Sequence, residues 1–305
     1  MYQNIGVAGG SGFLGKSLIS ILAKSNHKIK IFCRNHEQAK SLKILGEPGQ
    51  IIIVRGNINN KDDVEDFVKG CDVIINLVAV FFEYGSQNFK NIHILAPKIL
   101  AIAAKNAGVK NFIQISNIGA DKNSISKSLK SRRHGELEIK KVYPNSTIVR
   151  PSLIFGENDA FFYRFEKMSK FLPFLPLIDG GENLFQPVFV NDVSLAISKI
   201  IEQPNLHGHI YELGGPKIYS FKELIKYLLV TINRKRILIN FNGNLLFIPA
   251  LIMSYYPFPV ITPDQIKTLK LDNIIDTKNK TFKHLKIIPF ELEKIMSLYL
   301  SKFKN

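Results

Sequence analysis

The chain has 305 residues, 46% of them apolar, which allows one large domain or two modest ones around a sizeable core. Lys and Arg exceed Asp and Glu by 41 to 25, a net charge of +16. The longest basic clusters, Lys127 to Arg133 and Arg234 to Arg236, are short and lack interleaved aromatics, so no nucleic-acid partner is expected. Two distant cysteines, Cys33 and Cys71, and seven unclustered histidines argue against a disulfide framework and a metal site.

The excess charge reads either as solvated faces of a Lys-rich composition or as a surface for an acidic partner, an anionic membrane or a phosphorylated ligand. Reduced cysteines and a start, Met1-Tyr2-Gln3-Asn4, with no basic and apolar leader pattern predict a cytoplasmic protein.

In chain order, Ile5-Gly6-Val7-Ala8 is a short apolar strand, and Lys16 to Lys24 carries a helical stripe of Leu18, Ile19, Ile21 and Leu22. Between them lies Gly9-Gly10-Ser11-Gly12-Phe13-Leu14-Gly15. A strand, a glycine-rich turn and a helix start in that order suit a dinucleotide. Glycine permits the tight turn and close backbone approach, and the free N–H groups of the helix start face the pyrophosphate. Gly9, Gly12 and Gly15 are the candidate pyrophosphate contacts, with Ser11, Phe13 and Leu14 among the cofactor-binding residues.

Lys28 to Cys33 alternates as a second strand and ends at Arg34-Asn35. An acid near this position would hold a ribose 2′-hydroxyl, whereas an Arg suits a 2′-phosphate, so Arg34 predicts NADP(H) in preference to NAD(H). A solvated Arg at a strand end is the plain alternative. Ile51 to Val54 is a third strand, followed by Gly56-Asn57-Ile58; Asn57 offers an acceptor to an adenine amino group, with Ile58 beside it. A helix from about Lys61 to Lys69 leads to a buried apolar fourth strand, Val73 to Val78, and then to Ala79-Val80, small enough to lie against a cofactor. A long helix over Phe89 to Asn106 and a fifth strand, Phe112 to Ile115, end at Ser116. This alternation predicts an α/β fold, a Rossmann-type doubly wound parallel sheet over residues 1–155. A smaller mixed part over 156–305 should cross back to the sheet near 186–216.

At this point the chain resembles the extended and atypical short-chain dehydrogenase/reductase superfamily, which includes sugar-nucleotide epimerases. The resemblance rests on the Gly9/Gly12/Gly15 spacing, Gly56-Asn57-Ile58, Ser116, Val149-Arg150-Pro151-Ser152 with Phe155-Gly156, and Val188 to Val193. It implies a catalytic serine at Ser116 and a Tyr and Lys four residues apart on the following helix, from about Ser126 to Val142. Those positions hold Ser128 and Arg132 instead. A serine hydroxyl has no tyrosine-like acidity, and a guanidinium cannot shuttle protons at neutral pH. No intact catalytic set is therefore expected; Ser116, Ser128 and Arg132 are degenerate positions, and Tyr143 and Tyr84 are poorly placed to substitute. Ser116, Arg132 and Pro151 would still line the ribose and nicotinamide side.

In the second half Ser220 and Glu223 form a capping box at a helix start. A stretch without charge then runs from Arg236 to Asp264. It is too broken by Asn244, Pro249, Pro257 and Pro259 to span a membrane, and reads as a core helix, with an exposed partner or membrane surface as the alternative. Thr262-Pro263-Asp264-Gln265 followed by Asp272-Asn273-Ile274 resembles the nucleotide-binding accessory subunit of respiratory complex I and its alphaproteobacterial homologues. Locally the same residues read as a helix start capped by Thr262.

That resemblance implies an NADP(H)-binding, non-catalytic or weakly catalytic accessory protein of NADH:quinone oxidoreductase. Lacking a targeting presequence, it would be bacterial and cytoplasmic, with a peripheral place on the inner face of the inner membrane. An active reductase or epimerase on a sugar nucleotide or other carbonyl, and an NADP-sensing or RNA-binding regulator, are the alternatives.

Overall fold

The computed structural model describes residues 3–256 and 259–303; Met1, Tyr2 and the chain break expected at Pro257 lie outside the described residues. The first half runs β1 (Asn4–Ala8), α1 (Phe13–Leu22), β2 (Lys28–Cys33), α2 (His36–Lys40), β3 (Ile51–Arg55), α3 (Lys61–Val68), β4 (Val73–Asn76), α4 (Ala96–Asn106), β5 (Asn111–Ile115), α5 (Lys127–Val142) and β6 (Thr147–Pro151). The second half runs β7 (Ile154–Phe155), α6 (Ala160–Phe171), β8 (Phe174–Ile178), β9 (Leu184–Phe185), β10 (Val188–Phe189), α7 (Val190–Glu202), β11 (Ile210–Leu213), β12 (Tyr219–Ser220), α8 (Phe221–Thr231), β13 (Ile237–Phe241), α9 (Phe247–Met253), α10 (Pro263–Leu269) and α11 (Leu292–Leu300).

Seven strands form one parallel sheet in the order β11-β6-β5-β4-β1-β2-β3. Both faces are covered, which is why β1 and β4 are largely apolar and the polar Asn111 and Gln114 of β5 are buried. On one face Leu18, Ile19 and Leu22 of α1 pack with Val193, Ile197 and Ile200 of α7. On the other, Phe67, Leu100 and Ala104 pack over Ile74 and Phe112. A further apolar cluster joins Phe162 and Phe165 of α6 to Leu224 and Leu228 of α8 and Met296 of α11.

Three expectations need correction. The fourth strand stops at Asn76, not Val78, and is not wholly apolar. The Asn76 side-chain amide donates to Gln114 Oε1 (2.8 Å), and its oxygen accepts from the Val78 N–H (3.1 Å), turning the chain out of the sheet. The long helix over 89–106 begins with a π-helical turn, Lys90–Leu95. Pro97 has no N–H to return to the His93 carbonyl, and that carbonyl lies against Gly135 of α5, where a Cβ would collide with it. The uncharged stretch is not core: α9 buries only Ala250, against Ile178 and Ile266, and β13 pairs with β8 alone. Pro249 fits because the third N–H of a helix has no partner within it.

Candidate functional site

The strand order reverses at β1, whose neighbours are β2 on one side and β4 on the other. In such sheets the crevice beyond the strand ends at that point is where ligands sit. The turn after β1 forms one wall. Gly9 has φ +81°, a conformation that favours glycine, and a Cβ on it would press on the Val78 side chain and N–H at 3.1 and 3.2 Å. Gly9 thus lets the loops after β1 and β4 touch. Its carbonyl accepts from the Gly12 N–H (3.1 Å), closing the turn. A Cβ on Gly15 would run into the Gly10 carbonyl, so only glycine lets α1 seat this close to its own turn. Helix α1 has no side-chain cap and no acid in its first turn, so its leading N–H groups and positive dipole end face the crevice unneutralised. Ser11 and Phe13 are half-buried beside it, Leu14 is buried, and Gly12 is exposed.

At the ends of β2 and β3, Arg34 is exposed, and no salt bridge or hydrogen bond engages its side chain among the described residues. Arg55 stands at the matching end of β3, in register with Cys33, and is also exposed. Sequence reading missed Arg55; its place directly before Gly56-Asn57, mirroring Arg34 after β2, was the available signal. Asn57 has one oxygen lone pair taken by the Asn59 N–H (3.1 Å), while its own N–H donates to Asp63 Oδ2 (2.8 Å). The loop is held, and Asn57 keeps a second acceptor position. Ile58 is buried beneath it, and Ala79 is exposed on the β4 side.

Ser116 and Arg132 come together. With Val78, His93, Gln114, Gly135 and Glu136 they line a cavity of about 10 Å³, room for one water. The Ser116 hydroxyl is buried and has no hydrogen-bond partner, an unmet polar group of the kind that marks a site. Arg132 reaches the Ser116 carbonyl at 3.5 Å. Burial lowers its pKa to about 10, against the pull of Glu136, so it stays cationic at neutral pH. Pro151 ends β6 nearby, where its carbonyl accepts from the Ile118 N–H (3.2 Å).

Ser128 stays apart from that cavity: its carbonyl accepts from Ser131 Oγ (2.7 Å). Ser131 Oγ in turn meets His93 Nδ1 (2.9 Å), and His93 Nε2 accepts from the Val80 N–H (3.2 Å). Accepting at Nε2 places the proton on Nδ1, and burial together with Arg132 pushes the ring down to about 2. His93 is therefore a neutral strut between the β4 loop and α5 rather than an acid or base at physiological pH. Tyr143, the distant alternative, donates to the Val109 carbonyl (2.5 Å) and stays in the fold; Tyr84 sits exposed in a loop.

The C-terminal motifs explain how α5 is held. Thr262 and Gln265 form a capping box on α10, with Pro263 at its first position. From that turn Asp264 reaches across to the start of α5, accepting from the Lys127 N–H (2.6 Å), the Ser128 N–H (3.0 Å) and Ser126 Oγ (2.9 Å). Thr268 adds a hydroxyl contact to Ser126 (2.9 Å). Asn273 Oδ1 accepts from Ser152 Oγ (2.7 Å) and the Leu153 N–H (2.9 Å), and Asp272 accepts from the Leu184 N–H (2.8 Å). One turn along α5 from Arg132, Glu136 takes a bidentate pair from Arg150 (2.8 and 2.6 Å), which also reaches Glu212 (3.2 Å). These contacts fix α5 against β6, next to the edge strand β11, and pair both Glu136 and Glu212 with Arg150.

Glycine cradle, open helix start and an unmet buried hydroxyl at the switch point of the sheet together fit a dinucleotide. A family profile described as NAD(P)H-binding matches residues 9–166. The chain is 31% identical over 293 residues to the mouse protein NADH dehydrogenase [ubiquinone] 1 alpha subcomplex subunit 9, mitochondrial, covering 94% of this chain and 77% of that one. It is 29% identical over 311 residues to the Arabidopsis thaliana protein of the same name, covering 98% and 77%. Its fold is similar to that of a solved nucleoside-diphosphate-sugar epimerase from Staphylococcus aureus, with a TM-score of 0.75 at 19% identity over 98% of this chain and 99% of that one.

Proposed function

Because the chain belongs to the NAD(P)H-binding family, and within it to the family of NADH dehydrogenase 1 alpha subcomplex subunit 9, we propose that it holds NADP(H) as an accessory protein of an NADH:quinone oxidoreductase, with little or no turnover of its own. The observation that carries this is α5. Where a proton donor would be needed stand Ser128, its carbonyl tied to Ser131, and Arg132, a fixed cation beside a neutral His93. A bound nicotinamide supplies hydride chemistry, while the two groups nearest Ser116 that could move a proton are a neutral His93 and a cationic Arg132.

In this reading residues 1–155 form the nucleotide-binding part and 156–305 the part that meets a partner. Gly9, Ser11, Gly12, Phe13, Leu14 and Gly15 cradle the pyrophosphate. Arg34, helped by Arg55, takes the 2′-phosphate, and Asn57 with Ile58 takes the adenine. Ala79, Ser116, Arg132 and Pro151 line the ribose and nicotinamide. The nucleotide then acts as a folding ligand, adding about 2.7 kcal/mol of stability at a hundredfold excess over its Kd. The protein works at the inner face of a bacterial inner membrane, as a peripheral companion of the oxidoreductase.

Calorimetric titration with NADPH and NADH tests the cofactor assignment. The expected result is tighter binding of NADPH, with Arg34→Glu removing most of the difference. Equal affinities in the native chain would overturn the role of Arg34. A second reading, a working reductase or epimerase on a carbonyl substrate, draws on the unmet Ser116 hydroxyl. It requires NADPH oxidation with such a substrate that falls in Ser116→Ala.

A further inference from the structure

The stretch from Ile237 to Pro263 contains no charged side chain, and the fold places much of it outward. Strands β8 and β13 pair in parallel, Ile237 opposite Phe174 and Phe241 opposite Ile178. Alternation along the strands puts Phe174, Pro176, Ile178, Ile237, Ile239 and Phe241 on one face. The opposite face carries Leu175 and Leu177, both in the core. The outward face is capped at one end only, where Ala250 of α9 sits on Ile178. Beyond that contact the apolar side chains are open: Ile237 is 69% exposed, and Ile248 and Ile252, one turn apart on α9, are 67% and 61% exposed. Tyr255 and Tyr256 are exposed just beyond α9. The strand face and the short helix meet at Ala250, with Ile248 and Ile252 exposed on the far side of the helix.

The margin of this region is cationic. At the Ile237 end an open groove of about 630 Å³ is lined by Lys170, Lys235 and Arg236 together with Phe171, Leu172 and Pro173. Phe171 is 76% exposed there. At the α9 end Lys267 lies over the Phe247 ring, 5.8 Å from its centre. The nearby acids are already matched: Glu166 with Lys170 and Arg234, and Asp179 with Lys270. Lys235, Arg236 and Lys267 have no carboxylate partner among the described residues; half-buried Arg236 donates to the Ser169 and Lys235 carbonyls (2.8 and 2.7 Å), which leaves Lys235 the exposed cation of the two at that end. Helix α9 has seven residues and cannot cross a bilayer; among the described residues no helix is long and apolar enough to do so.

We propose that this face docks the protein onto an anionic phospholipid surface, α9 and its tyrosines entering the headgroup boundary while Lys235, Arg236 and Lys267 meet the lipid phosphates. Apolar side chains that enter the interface, aromatics at headgroup depth and a cationic rim facing negative lipid are the complementary features of such a contact. The inference does not depend on the oxidoreductase assignment, since it rests on this face alone.

Flotation of the full chain, loaded with NADPH, with vesicles of phosphatidylcholine alone or mixed with phosphatidylglycerol tests it. The expected result is binding to the mixed vesicles, about tenfold or more above phosphatidylcholine alone, reduced by salt. The double variant Ile248→Glu and Ile252→Glu should abolish binding, and Lys235→Glu with Lys267→Glu should remove the preference for anionic lipid. All four side chains lie outside the core, so the fold should survive, and Ile44→Glu, at an exposed position of the nucleotide-binding half, should bind like the native chain. Absence of flotation at low salt, or undiminished binding by the double isoleucine variant, would overturn the proposal. Loss of a protein complex by that variant, with no vesicle binding by the native chain, would assign the face to a protein and overturn it equally.

Discussion

Asp264 ties the C-terminal segment to the helix that carries Arg132, and its removal has a calculable effect. The carboxylate accepts two backbone N–H groups and one hydroxyl at the start of α5, while also sitting in the first turn of α10. Replacing a capping acid by alanine costs about 0.5–2 kcal/mol, and the charge at a helix start adds about 0.3–1 kcal/mol. The α5 N–H groups are partly solvated, so water recovers some of the loss, and Ser126 keeps its contact with Thr268. Asp264→Ala should therefore destabilise by about 2 kcal/mol, and Asp264→Asn, which keeps one acceptor oxygen but no charge, by about 1 kcal/mol. In a chain of this size those values correspond to melting shifts of roughly 3 °C and 1.5 °C. Urea denaturation should show lower midpoints with unchanged slopes. NADPH affinity should fall several-fold in the alanine variant, because Arg132 lies one turn beyond the frayed end. A loss below about 0.5 kcal/mol with unchanged NADPH affinity would show that Asp264 does not hold α5, and the physical account of the Thr-x-Asp-Gln motif would fail.

Two further outcomes follow from the same geometry. Gly15→Ala drives a Cβ into the Gly10 carbonyl, backbone against backbone, so α1 must lift from its turn. The expected cost is about 1–3 kcal/mol, and the thermal stabilisation by NADPH should disappear, whereas Gly12→Ala, whose Cβ would meet only the Gly9 carbonyl at 3.3 Å, should keep part of it. Asp192 is buried, and burial raises its carboxyl to about 6 even though it accepts from the Phe290 N–H (2.7 Å). Its folded pKa exceeds the unfolded value, so its charged form is disfavoured in the fold, and stability from this group falls as pH rises from about 4 to 6. Asp192→Asn should melt higher than the native chain at pH 7.5 and lose most of that advantage at pH 4.5; a constant difference across this range would contradict the assignment.

Much of this was readable from the order of residue types. Strands β1 to β5 and helices α1, α3 and α4 follow from apolar runs and stripes, because those patterns are local and both sheet faces are covered; the short α2 was not foreseen. Asn60, for example, caps α3 through the N–H groups of Asp62 and Asp63, a contact within three residues. The glycine turn was legible because its chemistry lies within seven residues. What escaped depends on contacts far apart in the chain. Asp264 meets residues 136 to 138 positions earlier, so beyond the family resemblance its motif read locally as a helix start and not as a tether of α5. The π-helical turn needed both Pro97 and the approach of Gly135, and His93 acquired its role only when the β4 loop and α5 closed around it. The uncharged stretch was read as core on composition, but composition does not say whether a second layer exists to cover it, and β13 with α9 has none beyond Ala250.

The central claim is that this nucleotide-binding chain serves an NADH:quinone oxidoreductase. Membranes of cells that make the protein, solubilised in mild detergent and separated on a native gel with mass spectrometry of each band, test it directly. The account predicts that the chain migrates with the oxidoreductase subunits. Migration solely as a small species, with the oxidoreductase running elsewhere, would contradict it.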